Sequence, residues 1–554
     1  MIENDTLAVT DHRERLHAGL VRAGGLLTPG ERHMVAKVLA LPQDAGAFWA
    51  RLTARRRHAW LRTQLVDTAG ESVVAHLEDQ GLLTRAVPWA TRCAYASRAV
   101  LVEGCRALGR PTTGRRNVLQ ERLEGCVGWS DRVWLGLRHR GLMVRLERWA
   151  TLQPWPDRGR EVAVRLGHIT FPTYTRTTGR AIAPTRADWQ LAEHAIEGSH
   201  TLEEALALLE APVAWPPGRL NRVGALQRIV LEGVRQLERQ GDYEAAIRTY
   251  DTLLAKELVP AGEVLSRLGI ALDRAGRPRE AVERLKALRD TVEGPLVWAV
   301  ERTGRRLARK SGVGWAPLRP LRPPSTRELR LQPGTSKGAR PTWAQAGQDR
   351  LVEDAVAHAI RAHGRVVLRG EGRAWQTLLS LLLTDASFCP VPGALPVPGL
   401  RGPLDRWTPA FAARRAPEIF RLMDAIGQGQ APEWVARLDP IWRGISLSGA
   451  RWSRHGPAEL LALASAPPRV LRAVFSDVLA RGRGAWTGFP DLTVLPGQAC
   501  RLSGAFPASL SEDLIFVEVK GPGDTLRDAQ RVWMDRLRDS GAKVEVWDVQ
   551  SASS

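Results

Sequence analysis

Near the C-terminal end of this 554-residue chain, two acidic residues and a lysine have the types and spacing of a metal-assisted hydrolase. The run Leu514-Ile515-Phe516-Val517-Glu518-Val519-Lys520 reads as a strand. Alternation puts Leu514, Phe516, Glu518 and Lys520 on one face, so a carboxylate and an ammonium emerge together at the end of an apolar strand. Pro490-Asp491 opens a second strand-like run, and Asp491 beside Glu518 would join two carboxylates to the lysine. Such a set can hold a divalent cation against a phosphodiester. A third carboxylate, Glu371, lies about 120 residues upstream, in Gly370-Glu371-Gly372-Arg373 at the head of a helix expected from Trp375 to Leu383. Glu518 and Lys520 alone would read as a strand-end ion pair; the companions turn the reading toward a site.

The basic residues sharpen this. Only seven of the 79 are lysine, yet one stands two residues after Glu518. Arginine keeps its proton too firmly for a titrating role, whereas a buried lysine shifts its pKa readily. The net charge of +20 and a pI near 10.8 point to a polyanionic partner, although an arginine-rich GC-biased genome would give the same charge.

Five cysteines (93, 105, 126, 389 and 500) are odd in number and form no C-x-x-C pair. That argues against zinc ribbons and a disulfide framework and fits a reducing compartment. Met1-Ile2-Glu3-Asn4-Asp5 lacks the basic and apolar regions of a signal peptide, and no apolar run reaches membrane-spanning length. The expectation is a soluble, intracellular protein with no membrane partner.

The elements that must position the site divide by composition. The expected fold class is multidomain, with mostly α-helical N-terminal and middle regions followed by a C-terminal α/β domain. Residues 1–90 read as a helical domain, where Arg55-Arg56-Arg57-His58 forms a basic face with Trp60 behind it. That face is either a DNA contact or an ordinary solvated surface. In 91–130, a helix ending at Ala107-Leu108-Gly109-Arg110 is followed by Pro111-Thr112-Thr113-Gly114-Arg115-Arg116 and a second helix from Asn117. This hairpin resembles the SAP module, which implies phosphate contacts from Arg115 and Arg116 near the second helix's N-terminus. A plain basic packing unit fits the same residues. Residues 131–225 read as a helical connector.

From 226 to 312 a repeat is visible: Gly241, Ala246, Tyr250 and Leu253 recur 35 residues later as Gly276, Ala281, Leu285 and Leu288, with Leu268-Gly269 between them. The pattern is similar to tetratricopeptide repeats, which implies a spacer or a docking surface for a protein partner. Between 301 and 343 there are eleven Lys/Arg against two acidic residues, and prolines at 317, 320, 323, 324, 333 and 341. Residues 313–345 therefore read as a basic proline-rich linker, suited to tracking phosphates. A domain spanning 346–554 follows.

The residues around Glu371, Gly488-Phe489-Pro490-Asp491 and Val517-Glu518-Val519-Lys520-Gly521-Pro522 resemble the VRR-NUC domain, a branch of the PD-(D/E)XK nuclease fold. Asp524, Leu526, Gln530, Trp533, Leu537, Gly541 and the strand from Lys543 to Val549 follow that domain's closing helix-strand pattern. With the SAP-like and repeat segments upstream, the whole chain resembles the Fanconi-associated nucleases. The arginine bias and the lack of an extended N-terminal arm imply a bacterial member, placed in the cytoplasm at the nucleoid; a eukaryotic one would be nuclear.

The resemblance implies Mg²⁺ or Mn²⁺ held by Glu371, Asp491, Glu518 and the Val519 carbonyl. It implies Lys520 as the group that orients or deprotonates the attacking water, and Gln530 as a positioning residue. It further implies 5′ flap endonuclease and 5′-to-3′ exonuclease activity on branched or cross-linked duplex DNA in interstrand cross-link repair, by a monomer or weak dimer. Two departures stand out: Ala485-Trp486-Thr487 replaces small residues before Asp491, and 496–512 is inserted between Asp491 and Glu518, bringing Glu512 and Asp513 as rival ligands. The competing readings are a dimeric Holliday-junction resolvase-like nuclease and a non-enzymatic scaffold that binds DNA and a partner protein.

Overall fold

A computed structural model describes residues 13, 15–21, 23, 25–53, 57–151, 167–177, 185–211, 222–292, 294–335, 341–345, 347–362, 365–396, 399–408, 410–495 and 514–552. The chain divides into two compact units: 1–157 with 180–198 and 213–222, and 158–179 with 199–212 and 223–554. The expected class is borne out, with helices dominating up to Ser311 and an α/β domain at the C-terminus.

The first unit is not purely helical. Strands β1 (Ala59–Leu61) and β2 (Leu83–Thr84) flank β3 (Trp134–Leu137) in a small antiparallel sheet. The segments expected as a helical N-terminal domain and a helical connector are thus joined through one sheet. Strands of two to four residues leave too short an alternation to stand out from helical spacing. The SAP-like hairpin, α1 (Arg98–Ala107) and α2 (Arg116–Leu123), is built into the same core. Its Leu101, Cys105, Leu119 and Leu123 pack with Ala59, Leu61 and Trp134. Cys93, Cys105, Cys126 and Cys389 are free thiols.

In the second unit, α3 (Val223–Gln240), α4 (Tyr243–Ala255), α5 (Ala261–Arg274), α6 (Pro278–Leu288) and α7 (Leu296–Ser311) stack consecutively. The 35-residue recurrence has a structural counterpart. Gly241 and Gly276 both adopt positive φ at the turn into a helix, and Ala246, Ala281, Tyr250 and Leu285 are all buried. Tyr250 Oη donates to Glu238 (2.6 Å), whose carboxylate also receives Arg267, so one buried acid ties three helices together.

Seven strands form the C-terminal sheet: β4 (Ser325–Pro333), β5 (Trp343–Gln345), β6 (Gln348–Arg350), β7 (Val366–Arg369), β8 (Leu492–Leu495), β9 (Ile515–Lys520) and β10 (Lys543–Ser551). Their order is β6-β5-β4-β10-β9-β8-β7, with β4, β10 and β9 mutually parallel and the remaining pairs antiparallel. The stretch read as a linker therefore supplies the sheet. Its prolines cluster before Ser325 and at Pro333, leaving seven strand positions to pair through their backbones with β10 from Glu545 to Ser551. Most side chains of β4 are exposed, so composition gave no sign of it. Arg322, just upstream, bonds Asp535 (2.9 Å) and Asp539, while Arg538 donates to the Arg322 and Pro323 carbonyls (2.6 Å each).

One face of the sheet is covered by α8 (Val352–Ala362), whose Ala355, Val356 and Ile360 meet Val517 and Val519. The other is covered by α9 (Arg373–Leu382), α10 (Pro468–Arg481) and α11 (Asp528–Asp539). Leu378, Leu379, Leu381 and Leu382 of α9 are all buried, the signature of a helix wrapped on every side. The helices Ala416–Gly427, Ala431–Trp442 and Pro457–Ala464 form its outer layer. No helix among the described residues is long and apolar enough to cross a membrane.

Candidate active site

Antiparallel pairing of β8 with β9 in the register Leu492↔Val517 brings Asp491, just before β8, alongside Glu518. Pairing of β7 with β8 in the register Arg369↔Leu492 carries Gly370 and Glu371 to the same edge, where the Gly370 N–H donates to the Asp491 carbonyl (3.1 Å). Three residues far apart in sequence thus meet because three strands end together.

The backbone at Glu371 is held under strain. Gly370, Glu371 and Gly372 have φ of 100°, 44° and 78°, and a left-handed conformation is costly for a residue with a Cβ. An added Cβ on Gly372 would lie 2.5 Å from the Trp486 ring. The tryptophan that departs from the expected small residue therefore fills the space left by this glycine. Trp486 also packs on Phe489 (centroids 5.4 Å apart), within an aromatic floor that includes Trp375, Phe516 and Trp533. Trp375 Nε1 donates to Thr493 Oγ1 (3.0 Å), pinning α9 to β8. Gly488 permits another close approach, since a Cβ there would sit 2.5 Å from the Ala529 carbonyl carbon. The first turn of α11 can then lie against the turn that carries Asp491.

The polar groups form one connected set. Asp491 Oδ2 accepts from the Val519 N–H (2.9 Å), and Lys520 Nζ lies 3.0 Å from Glu518 Oε1 and donates to Gln530 Oε1 (3.2 Å). Gln530 Nε2 donates to Glu518 Oε1, and its Oε1 also accepts from the Arg527 N–H (2.9 Å), fixing the amide's orientation. Glu518 is 1% exposed, and among the described residues its Oε2 receives no donor.

Burial pushes Asp491 up to about 6, the Val519 N–H opposing, with the charges of Glu353 and Glu371 adding to the rise. Burial likewise pushes Glu518 up to about 8, reinforced by the adjacent Asp491 and offset in part by Lys520. Two desolvated carboxyls side by side hold a proton until a cation replaces it.

The structure joins Asp491, Glu518, Lys520, Gln530 and Val519 directly, and places Glu371 on the exposed rim of the same edge. Among the described residues no three His, Cys, Asp or Glu side chains stand arranged as a finished metal cage. Glu353, in the first turn of α8, bears on Asp491 more strongly than Lys520 or Glu371 and was missed from sequence. Its signal was an acidic pair opening the helix before β7, of which Asp354 is occupied by Arg369.

The basic candidates lie in the first unit. Arg116 donates to the Ala94 and Ala96 carbonyls (2.6 and 3.2 Å), and Arg57 to the Ala59 carbonyl (2.6 Å), so both serve the fold. Arg115 occupies the N-cap position of α2 without a side-chain cap, its side chain exposed. Arg55, Arg56, Glu512, Asp513 and the insertion 496–512 lie outside the described residues.

Residues 428–551 match the VRR-NUC domain model. Asp491, Glu518, Lys520 and Gln530 fall inside the matched span, whereas Glu371 reaches the site from outside it. The chain is 26% identical over 452 residues to a Fanconi-associated nuclease 1 homolog of Arabidopsis thaliana, covering 74% of this chain and 49% of that protein. It is 30% identical over 223 residues to Fanconi-associated nuclease 1 of Homo sapiens, covering 38% and 20%. It thus spans about half the length or less of these curated relatives. A solved structure of paFAN1 bound to 2-nt 5′ flap DNA with a gap superposes with a TM-score of 0.81 over 99% of both chains, at 22% identity. The fold around the matched span is therefore shared along the full chain.

Proposed function

We propose that this protein is a divalent-metal-dependent nuclease that hydrolyses phosphodiester bonds in branched duplex DNA, with a 5′ flap as its substrate. The convergence of Asp491, Glu518, Lys520 and Gln530 at one sheet edge, with Glu371 on its rim, carries the reading. Similarity to the Fanconi-associated nucleases, and a fold shared with a flap-bound relative, support the choice of substrate.

The carboxyls fit a hard cation. Glu518 Oε2 is buried without a donor, and both carboxyls hold protons above their ordinary range, which a divalent ion would relieve. Glu371, Asp491, Glu518 and the Val519 carbonyl would hold Mg²⁺ or Mn²⁺. Such an ion would supply Lewis-acid chemistry, polarising a non-bridging phosphate oxygen and acidifying a nearby water. Lys520, anchored by Glu518 and Gln530, orients that water or takes its proton and neutralises charge on the phosphate. Gln530 locks the lysine and carboxylate in register, and the aromatic floor keeps water from the underside of the site. Flap endonuclease and 5′-to-3′ exonuclease action in interstrand cross-link repair follow as the biological reading.

The test is a time course on an end-labelled 5′ flap with Mg²⁺ or Mn²⁺, and with Ca²⁺ as a non-catalytic control. Asp491→Ala and Glu518→Ala should abolish cleavage while flap binding persists. Wild-type protein as inactive as Asp491→Ala would overturn the nuclease reading, and preference for a four-way junction would overturn the substrate.

A further inference from the structure

A second basic feature lies at the opposite end of the VRR-NUC sheet. A recess of about 780 Å³ opens between the N-terminus of α10, the turn entering β10 and the residue preceding β9. Arg469, Arg472 and Lys543 line it, and among the described residues no acidic one does. Among the described residues, none of these three side chains finds a hydrogen-bond, ion-pair or ring partner. That is unusual in this chain, whose other arginines on α7, β7 and α11 are largely matched to carboxylates.

The recess is shaped around its cations. A side-chain carbon on Gly541, which has φ of 84°, would collide with the Arg469 guanidinium, and one on Gly427 would come within 3.2 Å of Arg472 Nη1. Two glycines therefore let two guanidiniums lie along the wall. The 14-residue helix α10 starts here without a side-chain cap. Pro468 has no N–H, and the Val470 and Leu471 N–H groups both return to the Pro467 carbonyl, which leaves the Arg469 N–H as a free donor at the positive end of the helix dipole. Three unmatched cations, a free amide and a helix dipole within one open recess suit a phosphate group.

This phosphate is not the one being cleaved. Lys543 opens β10 opposite Ile515, and the catalytic Lys520 lies opposite Asp548, at the far end of the same two parallel strands. At a rise of about 3.3 Å per residue, the two places are ~17 Å apart along β9. We propose that the recess bounded by Arg469, Arg472 and Lys543 is a second DNA contact, which holds a backbone phosphate of the substrate away from the reacting bond. The proposal rests on the DNA-nuclease reading.

The experiment compares the full chain with Arg469→Ala/Arg472→Ala, and separately with Lys543→Glu, in Ca²⁺ on a 5′ flap with long duplex arms. All three positions are exposed, and an unchanged Tm confirms folding. The double variant should bind roughly tenfold more weakly at low salt and lose about 1 to 2 from the slope of log Kd against log salt. Hydrolysis of bis(p-nitrophenyl) phosphate in Mn²⁺, a diester too small to span the sheet, should proceed at the wild-type rate. Unchanged DNA affinity and salt slope would overturn the proposal. Pyrophosphate binding that is lost in the double variant while DNA binding stays unchanged would assign the recess to a free phosphorylated molecule and also overturn it. Failure of wild-type protein to bind the flap would instead count against the nuclease reading itself.

Discussion

Asp491→Asn should make the metal-free protein more stable while destroying its activity. Asp491 is pushed from an ordinary 3.8 to about 6 by burial, with Glu353 and Glu371 adding to the rise. Since its folded-state pKa lies above the unfolded one, the folded protein holds the proton more tightly, and stability is lost as pH rises from about 4 to 6. Above that window the penalty is complete, at about 1.36 kcal/mol per pKa unit, or ~3 kcal/mol. At pH 5 it is about half as large. An amide of the same shape avoids that cost, can still accept from the Val519 N–H, and offers an NH₂ toward the undonated Oε2 of Glu518. The expected gain in Tm by calorimetry in chelator is about 5 °C or more at pH 8 and smaller at pH 5. Added Ca²⁺ should raise the wild-type Tm much more than that of the variant. A variant no more stable than wild type at pH 8 in chelator would refute the claim that these carboxyls are held in place at a cost that metal relieves.

Glu353→Gln removes a negative charge facing Asp491 and should lower that group's pKa, moving the acidic limb of the pH–rate profile in Mn²⁺ to lower pH. An unshifted limb would place Glu353 outside the site. Gln530→Ala deprives Glu518 of a donor and Lys520 of its anchor; cleavage should fall roughly 10- to 100-fold with flap binding unchanged, as for other groups that orient ligands. Gly372→Ala adds a Cβ at φ of 78° into the Trp486 ring and should destabilise the domain by about 2–4 kcal/mol, measured in urea. Gly372→Ala should cost less in a Trp486→Gly background than in the wild type, which a purely conformational cost at Gly372 would not allow.

The chemistry was legible in the sequence because a strand fixes its own faces. The alternation that puts Glu518 and Lys520 beside Phe516 is local, as is the Gly-Glu-Gly turn that must precede a helix, and the repeat from Gly241 to Leu288 needs only counting. The α/β class and the candidacy of Asp491, Glu518 and Lys520 follow from such signals, whereas Gln530 entered only through the family resemblance. Tertiary structure decided whatever depends on register and close approach. Glu371 joins the site because β7 pairs with β8 at Arg369↔Leu492, and Glu353 because α8 packs on the opposite, Val517–Val519 face of the sheet; neither spacing is written locally. Strand β4 was hidden in a proline-rich, basic stretch, since backbone pairing with β10 places it and its side chains stay in water. The fate of the arginines was beyond sequence altogether. Arg116 and Arg57 carry the same charge as Arg469 and Arg472, yet the first two are consumed by backbone carbonyls and the second two are left open, because a guanidinium's role is set by the acceptors that folding brings within reach.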